Sequence, residues 1–444
     1  MSTSGSAFAP HYDRHVNEGD LAALLRQHAS THAVPGAAIG ILHKGVATTA
    51  YYGVANARTG EPVTAETRFS VGSLTKSMVA TVIARLAEWG RLSLDDVVAR
   101  HVPELHESDW AKRATLRDLL ANSSGLPLRA DFEFGFDDRK DEDDGALGRF
   151  AAEIATAAPA GEFWSYANVG WCLLGRVIET VTDAAWEHSM RRHLLDPARM
   201  SETTLATDPA PKHRALGHEI TPDGPVPVEP LISRAYGPAG TSAVSTVTDL
   251  LRFAGVHLGD PSLAALRAVQ APVSIYGWLD SWCLGWARFA WRGGQIWGWD
   301  GLVNGERSIM RIVPEYHAAV VMMTNGSTGR AMYRSLFAVL MESLFEISMP
   351  PLVLEAAPDA AGDLSRFAGV YAWPDWRVEV TATERGLVIK DQQDESEAIA
   401  LDERTFLIDP ADPDNPTVTF GDFDAAGRPR VLYLMLWGLP RLDG

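Results

Sequence analysis

The chain has 444 residues and a mass of 48.2 kDa, with 46% hydrophobic and 22% charged residues, so it can bury a sizeable core and is long enough for about two to three domains. Acidic residues outnumber basic ones 57 to 39, and the resulting charge of −18 repels phosphate backbones and anionic lipid, which argues against nucleic-acid and membrane partners. No run approaches the roughly 18 apolar residues of a membrane span, and the polar stretch 1–20 lacks the apolar core of a secretory signal, so a cytoplasmic location is expected.

In chain order, residues 19–32 read as a helix and 36–54 as a strand hairpin turning at His43-Lys44-Gly45. Residues 73–89 place Leu74, Met78, Val79, Val82, Ile83 and Leu86 at 3.6-residue spacing, which predicts a helix stopped by Gly90. Helical segments then dominate, at 115–121, 171–181, 185–195 and 248–257. Strand-like runs return at 285–291, 305–312 and 318–324. Strands, a helical block and strands again fit one sheet assembled from both ends of this region, with helices inserted between them. The fold class is therefore α/β in the α+β sense. Residues 349–362, rich in Pro and Ala, read as a linker between a unit at 1–348 and another at 363–444. The second unit alternates in short runs at 367–371, 377–381, 386–389, 405–408, 417–420 and 430–436, which predicts a small all-β sandwich or barrel.

Chemistry concentrates at Phe69-Ser70-Val71-Gly72-Ser73-Leu74-Thr75-Lys76, where Ser73 and Lys76 share one helix face. A serine hydroxyl attacks only when a base takes its proton, and a lysine acts as that base only as a neutral amine. Lys76 is one of only six lysines. A second constellation, Trp164-Ser165-Tyr166-Ala167-Asn168, follows the turn Pro159-Ala160-Gly161 and presents a phenol and an amide just outside a helix. Such groups relay protons and hold a substrate carbonyl. A third, Gly298-Trp299-Asp300-Gly301-Leu302-Val303-Asn304-Gly305, has glycines that let a backbone N–H approach an acyl group as an oxyanion donor.

In this order the three motifs resemble the serine β-lactamase and penicillin-binding-protein superfamily, on the branch of class C β-lactamases, D-aminopeptidases and carboxylesterases. Arg91–Asp96 with His101–Leu105, the run from Thr115 to Pro127, Leu173–Glu179, Gly237-Pro238-Ala239-Gly240 and Ser245–Leu250 also look like that family's linking segments. The resemblance covers roughly residues 20 to 345, and the chain beyond 363 is similar to the lipocalin-like barrels that follow such enzymes. It implies an antiparallel sheet with a helical subdomain. It also implies Ser73 as nucleophile, Lys76 as its base, Tyr166 in proton transfer, Asn168 on the substrate, and an oxyanion hole from the amides of Ser73 and Leu302. One position departs from the pattern: where β-lactamases and carboxypeptidases begin the third motif with Lys or His, this chain has Trp299, followed by Asp300. Loss of that cation disfavours substrates carrying a carboxylate. Asp300 either binds a substrate ammonium or hydrogen-bonds within its strand turn.

Two regional features bear on substrate. The segment 129–149 carries Asp131, Glu133, Asp137, Asp138, Asp141, Glu142, Asp143 and Asp144; the charge run reads as a solvated loop, and the resemblance implies a place near the cleft mouth. Trp278, Trp282, Trp286, Trp291, Trp297 and Trp299 divide between core and an aromatic cleft wall. Cys172 and Cys283 read as core residues, and the pairs His11/His15 and His28/His32 as solvent-facing, so no metal site is expected. The sequence thus describes a cofactor-free serine hydrolase that forms an acyl-enzyme on esters, amides or small peptides, with neutral or cationic substrates favoured. An acyltransferase or peptide-releasing thioesterase or cyclase using the same site is the alternative, and a catalytically silent binding protein is a third reading. Oligomeric state is not encoded in any motif.

Overall fold

The computed structural model describes residues 16–126, 145–152, 163–229, 233–352, 354–373, 376–391, 394–409 and 417–442. Two eight-stranded antiparallel sheets dominate it. The first takes β1 (Gly36–His43), β2 (Val46–Asn56) and β3 (Glu61–Pro62) from one end of the region. From the other end come β4 (Ser281–Trp282), β5 (Ala287–Trp291), β6 (Gly294–Val303), β7 (Glu306–Val313) and β8 (Ala318–Thr324). Their spatial order is β3-β2-β1-β8-β7-β6-β5-β4, so β1 pairs directly with β8 through Ala37↔Thr324 to His43↔Ala318. The two halves of the sheet meet at that seam, as the order of predicted elements required.

Helices α1 (Glu18–Thr31), α2 (Thr75–Glu88), α3 (Asn168–Thr182), α4 (Val247–Gly259) and α5 (Gly329–Phe345) pack around this sheet and in the helical block. The hairpin β1–β2 turns at Lys44 and Gly45, both with positive φ (49° and 83°), and Gly90 follows α2 at φ 68°. Thr115 caps the short helix Leu116–Leu120 through a capping box with Asp118. Residues 185–195 form two short pieces, Trp186–Met190 and a π-helical turn Arg191–Leu195. The glycine-rich run 298–305, to which the sequence assigns no element, is mostly strand: Gly298, Trp299, Asp300, Gly301, Leu302 and Val303 lie inside β6. Its glycines mark close backbone approach rather than turns, because a Cβ on Gly298 would collide with the Met310 carbonyl and one on Gly301 with the Val71 carbonyl.

The second sheet is a sequential meander: β9 (Gly369–Trp373), β10 (Trp376–Ala382), β11 (Leu387–Lys390), β12 (Glu395–Ala400), β13 (Thr405–Leu407), β14 (Thr417–Phe423), β15 (Pro429–Leu434) and β16 (Trp437–Pro440). A bridge from Tyr371 to Arg441 brings the last strand back to the first, so the meander nearly closes into a lipocalin-like barrel. It has its own core around Phe367, Tyr371, Phe406, Phe420 and Leu439. Two expectations are corrected here. The run 430–436 is not one strand but most of β15 plus the turn into β16, and β12, with its polar alternation ESEAIA, was not anticipated.

No helix among the described residues is long and apolar enough to cross a membrane. Cys172 and Cys283 are buried and not joined in a disulfide, and burial pushes the Cys283 thiol up to about 12. His28 and His32 are half-buried rather than solvent-facing: Nδ1 of one and Nε2 of the other each meet Ser335 Oγ at 2.8 Å, tying α1 to α5. His11 and His15 lie outside the described residues, as do the eight acidic positions of 131–144.

Candidate active site

Ser73 sits in the 3-10 turn Gly72–Leu74 that runs straight into α2, and Lys76 occupies the second position of that helix. The Lys76 side chain is fully buried, and its Nζ donates to Ser73 Oγ at 3.0 Å and to the carbonyl of Ala239. Burial here is built by the loop Gly237-Pro238-Ala239-Gly240. Pro238 fills the space beside Gly175 of α3, and Gly240, at φ 127°, lies so close that a Cβ would sit 2.8 Å from the Ser73 amide nitrogen and collide with Gly72. By its sequence this loop is a linking segment. Its glycine-proline spacing was visible, but the service of Ala239 as an acceptor for the lysine is a tertiary fact.

The turn is braced from below by Glu306, a buried carboxylate at the start of β7. It accepts from the Ser70 amide at 2.9 Å, from Ser70 Oγ at 2.8 Å, and from Arg214 at 2.7 and 2.8 Å. A buried charge so fully paired fixes geometry, because removing either partner strands the other. β6 then lies alongside: a Cβ on Gly72 would be 2.7 Å from the Leu302 nitrogen, so the Leu302 amide abuts the turn that carries Ser73. The Leu302 side chain itself is exposed.

Tyr166 enters from the segment before α3. Its ring centroid lies 5.0 Å from Lys76 Nζ, a cation–π distance if the amine is charged. Trp299 Nε1 donates to the Tyr166 phenol oxygen at 3.3 Å, and the rings are 5.5 Å apart. The indole therefore supplies a neutral N–H donor to the phenol. Trp282 completes the wall, 4.7 Å from Trp299 and 6.0 Å from Tyr166, and Trp164 lies 5.9 Å beyond it. The other tryptophans of the cluster go elsewhere: Trp286 packs on Phe253 and His257, and Trp278 lies under Arg330. Asn168 opens α3 two residues after Tyr166 and is half-buried.

Asp300 points away from this assembly. Side chains alternate along a strand, so with Trp299 facing Tyr166 its neighbour faces the opposite side of the sheet, toward α5. There Arg311 holds the Asp300 carboxylate at 2.5 and 3.2 Å and donates to Tyr333 Oη at 2.6 and 3.0 Å. Burial opposes the charge on Arg311, but Asp300 and Tyr333 outweigh it and hold the guanidinium above its usual range. Of the two readings for Asp300, an ammonium receptor or a hydrogen-bonding strand residue, the geometry fits the second, with the partner on the neighbouring strand rather than in a turn. Among the described residues no group of three or more His, Cys, Asp or Glu is placed to hold a metal.

Comparison with known proteins agrees with this architecture. Penicillin-binding protein 4 of Amycolatopsis lactamdurans is 30% identical over 363 residues, covering 77% of this chain and 93% of that one. The crystal structure of SurE superposes with a TM-score of 0.79 at 27% identity, covering 96% of this chain and 99% of that chain, and so includes the barrel. The D-amino acid amidase of Ochrobactrum anthropi SV3 shares the fold at a TM-score of 0.65 and 20% identity, over 73% of this chain and 97% of its own. The Beta-lactamase family model matches residues 21–341, more than half of the sequence, and the chain belongs to the beta-lactamase family.

Proposed function

We propose that this protein is a serine hydrolase that forms an acyl-enzyme on Ser73 and cleaves amides or esters of neutral or cationic aminoacyl and small-peptide substrates. The observation that carries this reading is the contact of a fully buried Lys76 amine with Ser73 Oγ at 3.0 Å, the geometry of a nucleophile and its base. In acylation the neutral amine takes the hydroxyl proton as Oγ attacks the substrate carbonyl. The developing oxyanion is received by the amides of Ser73 and Leu302, each such donor being worth about 3–4 kcal/mol of transition-state stabilisation. Proton transfer to the leaving amine or alkoxide passes through Tyr166, which lies between the amine and Trp299. In the second half the same groups take a proton from water as it attacks the ester, and Ser73 is released.

The neutral Trp299 donor removes the charge that would pair with a substrate carboxylate. D-configured residues are favoured on the precedent of SurE, a further structure of which, at 26% identity to this chain, is a complex with D-Leu. A fluorophosphonate probe tests the core claim: stoichiometric labelling is expected in the native protein and none in Ser73→Ala, and labelling that survives the substitution overturns it.

A second reading, acyl transfer to an amine or alcohol, as in a peptide-releasing thioesterase or cyclase, is favoured by the wall of Tyr166, Trp282, Trp299 and Trp164, all at most 6% exposed. Such a wall excludes water from one side of the acyl-enzyme. Product analysis with added amine separates the two: hydrolysis alone at every amine concentration counts against transfer.

A further inference from the structure

The hairpin β15–β16 does not behave like the rest of its barrel. Along β15 the inward residue Leu432 joins the barrel core, whereas Val431 and Tyr433 bury themselves in the core of the first sheet and its helices. The turn residue Leu436 does the same and is 7% exposed. The tip reaches the backbone that carries the candidate tyrosine. The Tyr166 amide donates to the Leu436 carbonyl at 3.0 Å, and the Gly438 amide donates to Ser165 Oγ at 3.1 Å. Gly438 is itself fixed, since its carbonyl accepts from Trp373 Nε1 at 3.0 Å. It has no room for a side chain: a Cβ would stand 2.7 Å from the Trp164 carbonyl oxygen and 3.0 Å from Tyr433 Cε1.

On its other flank the same segment is held by the Ser165 amide donating to the Asn122 carbonyl at 2.8 Å. Residues 164–166 are therefore clamped between the helical block and the hairpin. Ser73 and Lys76, by contrast, are joined to one another and, through the lysine amine, to the loop carbonyl of Ala239. We propose that the hairpin Pro429–Pro440 is a positioning element for Tyr166, so that the barrel forms part of the active site and governs proton delivery to the leaving group while leaving the nucleophile untouched. This rests on the role given to Tyr166 above.

The proposal separates leaving groups by basicity. With one acyl group, p-nitrophenyl acetate expels a phenolate that needs no proton, whereas phenyl acetate and ethyl acetate expel progressively more basic oxygens. In pre-steady-state acetylation of the full-length protein, Gly438→Ala should keep the rate on p-nitrophenyl acetate within about threefold and lower that on ethyl acetate by about 10–100-fold, as Tyr166→Phe does. Ser165→Ala removes the Gly438 acceptor without adding volume and should show the same pattern in smaller degree, which keeps the test open if Gly438→Ala does not fold. Phe406→Leu, in the barrel core away from the tip, serves as the matched control and should scale all three rates alike. A native-like dependence on leaving group in both Gly438→Ala and Ser165→Ala overturns the proposal. No acetylation in the native protein, or acetylation that persists in Ser73→Ala, overturns instead the assignment of the site itself.

Discussion

The two eight-stranded sheets solve the same problem by opposite routes. In the barrel every strand pairs with its sequence neighbour from β9 to β16, whereas the first sheet closes only when β1 meets β8 across the whole helical block. Sequential pairing is quick to form and leaves little room for surprise, while long-range pairing is slow but brings distant segments together. That is what the site needs: Ser73 follows the first strands, Trp299 to Leu302 lie on β6, and Tyr166 comes from between them. On the proposed reading the barrel supplies neither nucleophile nor base, and acts on Tyr166 through the hairpin β15–β16.

The largest effect that would break this division is chemical. Lys76→Ala should lower acylation by about 10⁴-fold or more while the near-ultraviolet circular dichroism of both sheets stays native; a loss of only a few-fold would place the base elsewhere. Next comes Asp300→Asn, which leaves the Arg311 guanidinium buried with its carboxylate counter-charge gone and only the neutral Tyr333 hydroxyl and backbone as partners. It should cost about 3 kcal/mol in urea unfolding and leave the preference between cationic and neutral substrates unchanged. A selective loss of cationic substrates would instead return Asp300 to the binding site.

Acid sharpens the contrast further. His257, on α4, is fully buried, and burial with nearby Arg267 and Arg85 pushes its pKa from 6.5 down to about 3. Its Nε2 lies 2.9 Å from Thr81 Oγ1, which itself donates to the Ser77 carbonyl, so the ring is the donor. The unfolded chain binds that proton first, so this contribution to stability is full above pH 6.5 and is lost progressively as pH falls toward 3. Glu179 on α3 works the other way: burial raises its pKa from 4.5 to about 7 despite Arg176, so it stabilises below 4.5 and loses that contribution as pH rises through 7. His257→Phe should flatten the fall in melting temperature between pH 6.5 and 4; an unchanged slope would locate the acid sensitivity in another group. The smallest test uses two matched turns. Gly45 between β1 and β2 (φ 83°) and Gly427 before β15 (φ 75°) both have open space where a Cβ would go. Alanine at either should cost about 1–2 kcal/mol from backbone strain alone, read from urea midpoints. A markedly larger loss at Gly45 would show that the long-range sheet amplifies local strain.

Much of this arrangement was legible because local signals and tertiary structure agree. The apolar period of α2, the Lys44-Gly45 turn and the Ser73/Lys76 spacing each rest on residues whose own geometry decides the outcome. The misread places are those where a neighbour decides. The strand that holds Gly298 and Gly301 escapes the sequence pattern, because what fixes these glycines is the approach of the Met310 and Val71 carbonyls from other segments. The break at Met435 (φ 53°) and Leu436 carries no Gly, Asn or Asp, because the hydrogen bond from Tyr166 and the burial of Leu436 hold the turn instead. The Asp300–Arg311 pair joins two strands and has no spacing rule, and the Ala239 carbonyl has no side-chain signature at all.

The pairing of β1 with β8 has a consequence for how the protein is made. On a ribosome adding about 5–20 residues per second, roughly tens of seconds pass between the emergence of β1 and that of its partner. Throughout that interval Gly36–His43, destined to be buried along nearly its whole length, presents an unpaired apolar edge on the nascent chain. The hairpin with β2 protects one side only. Chaperone capture and aggregation during synthesis should therefore concentrate on the beginning of the first sheet, and the self-contained barrel, though made later, should need far less help.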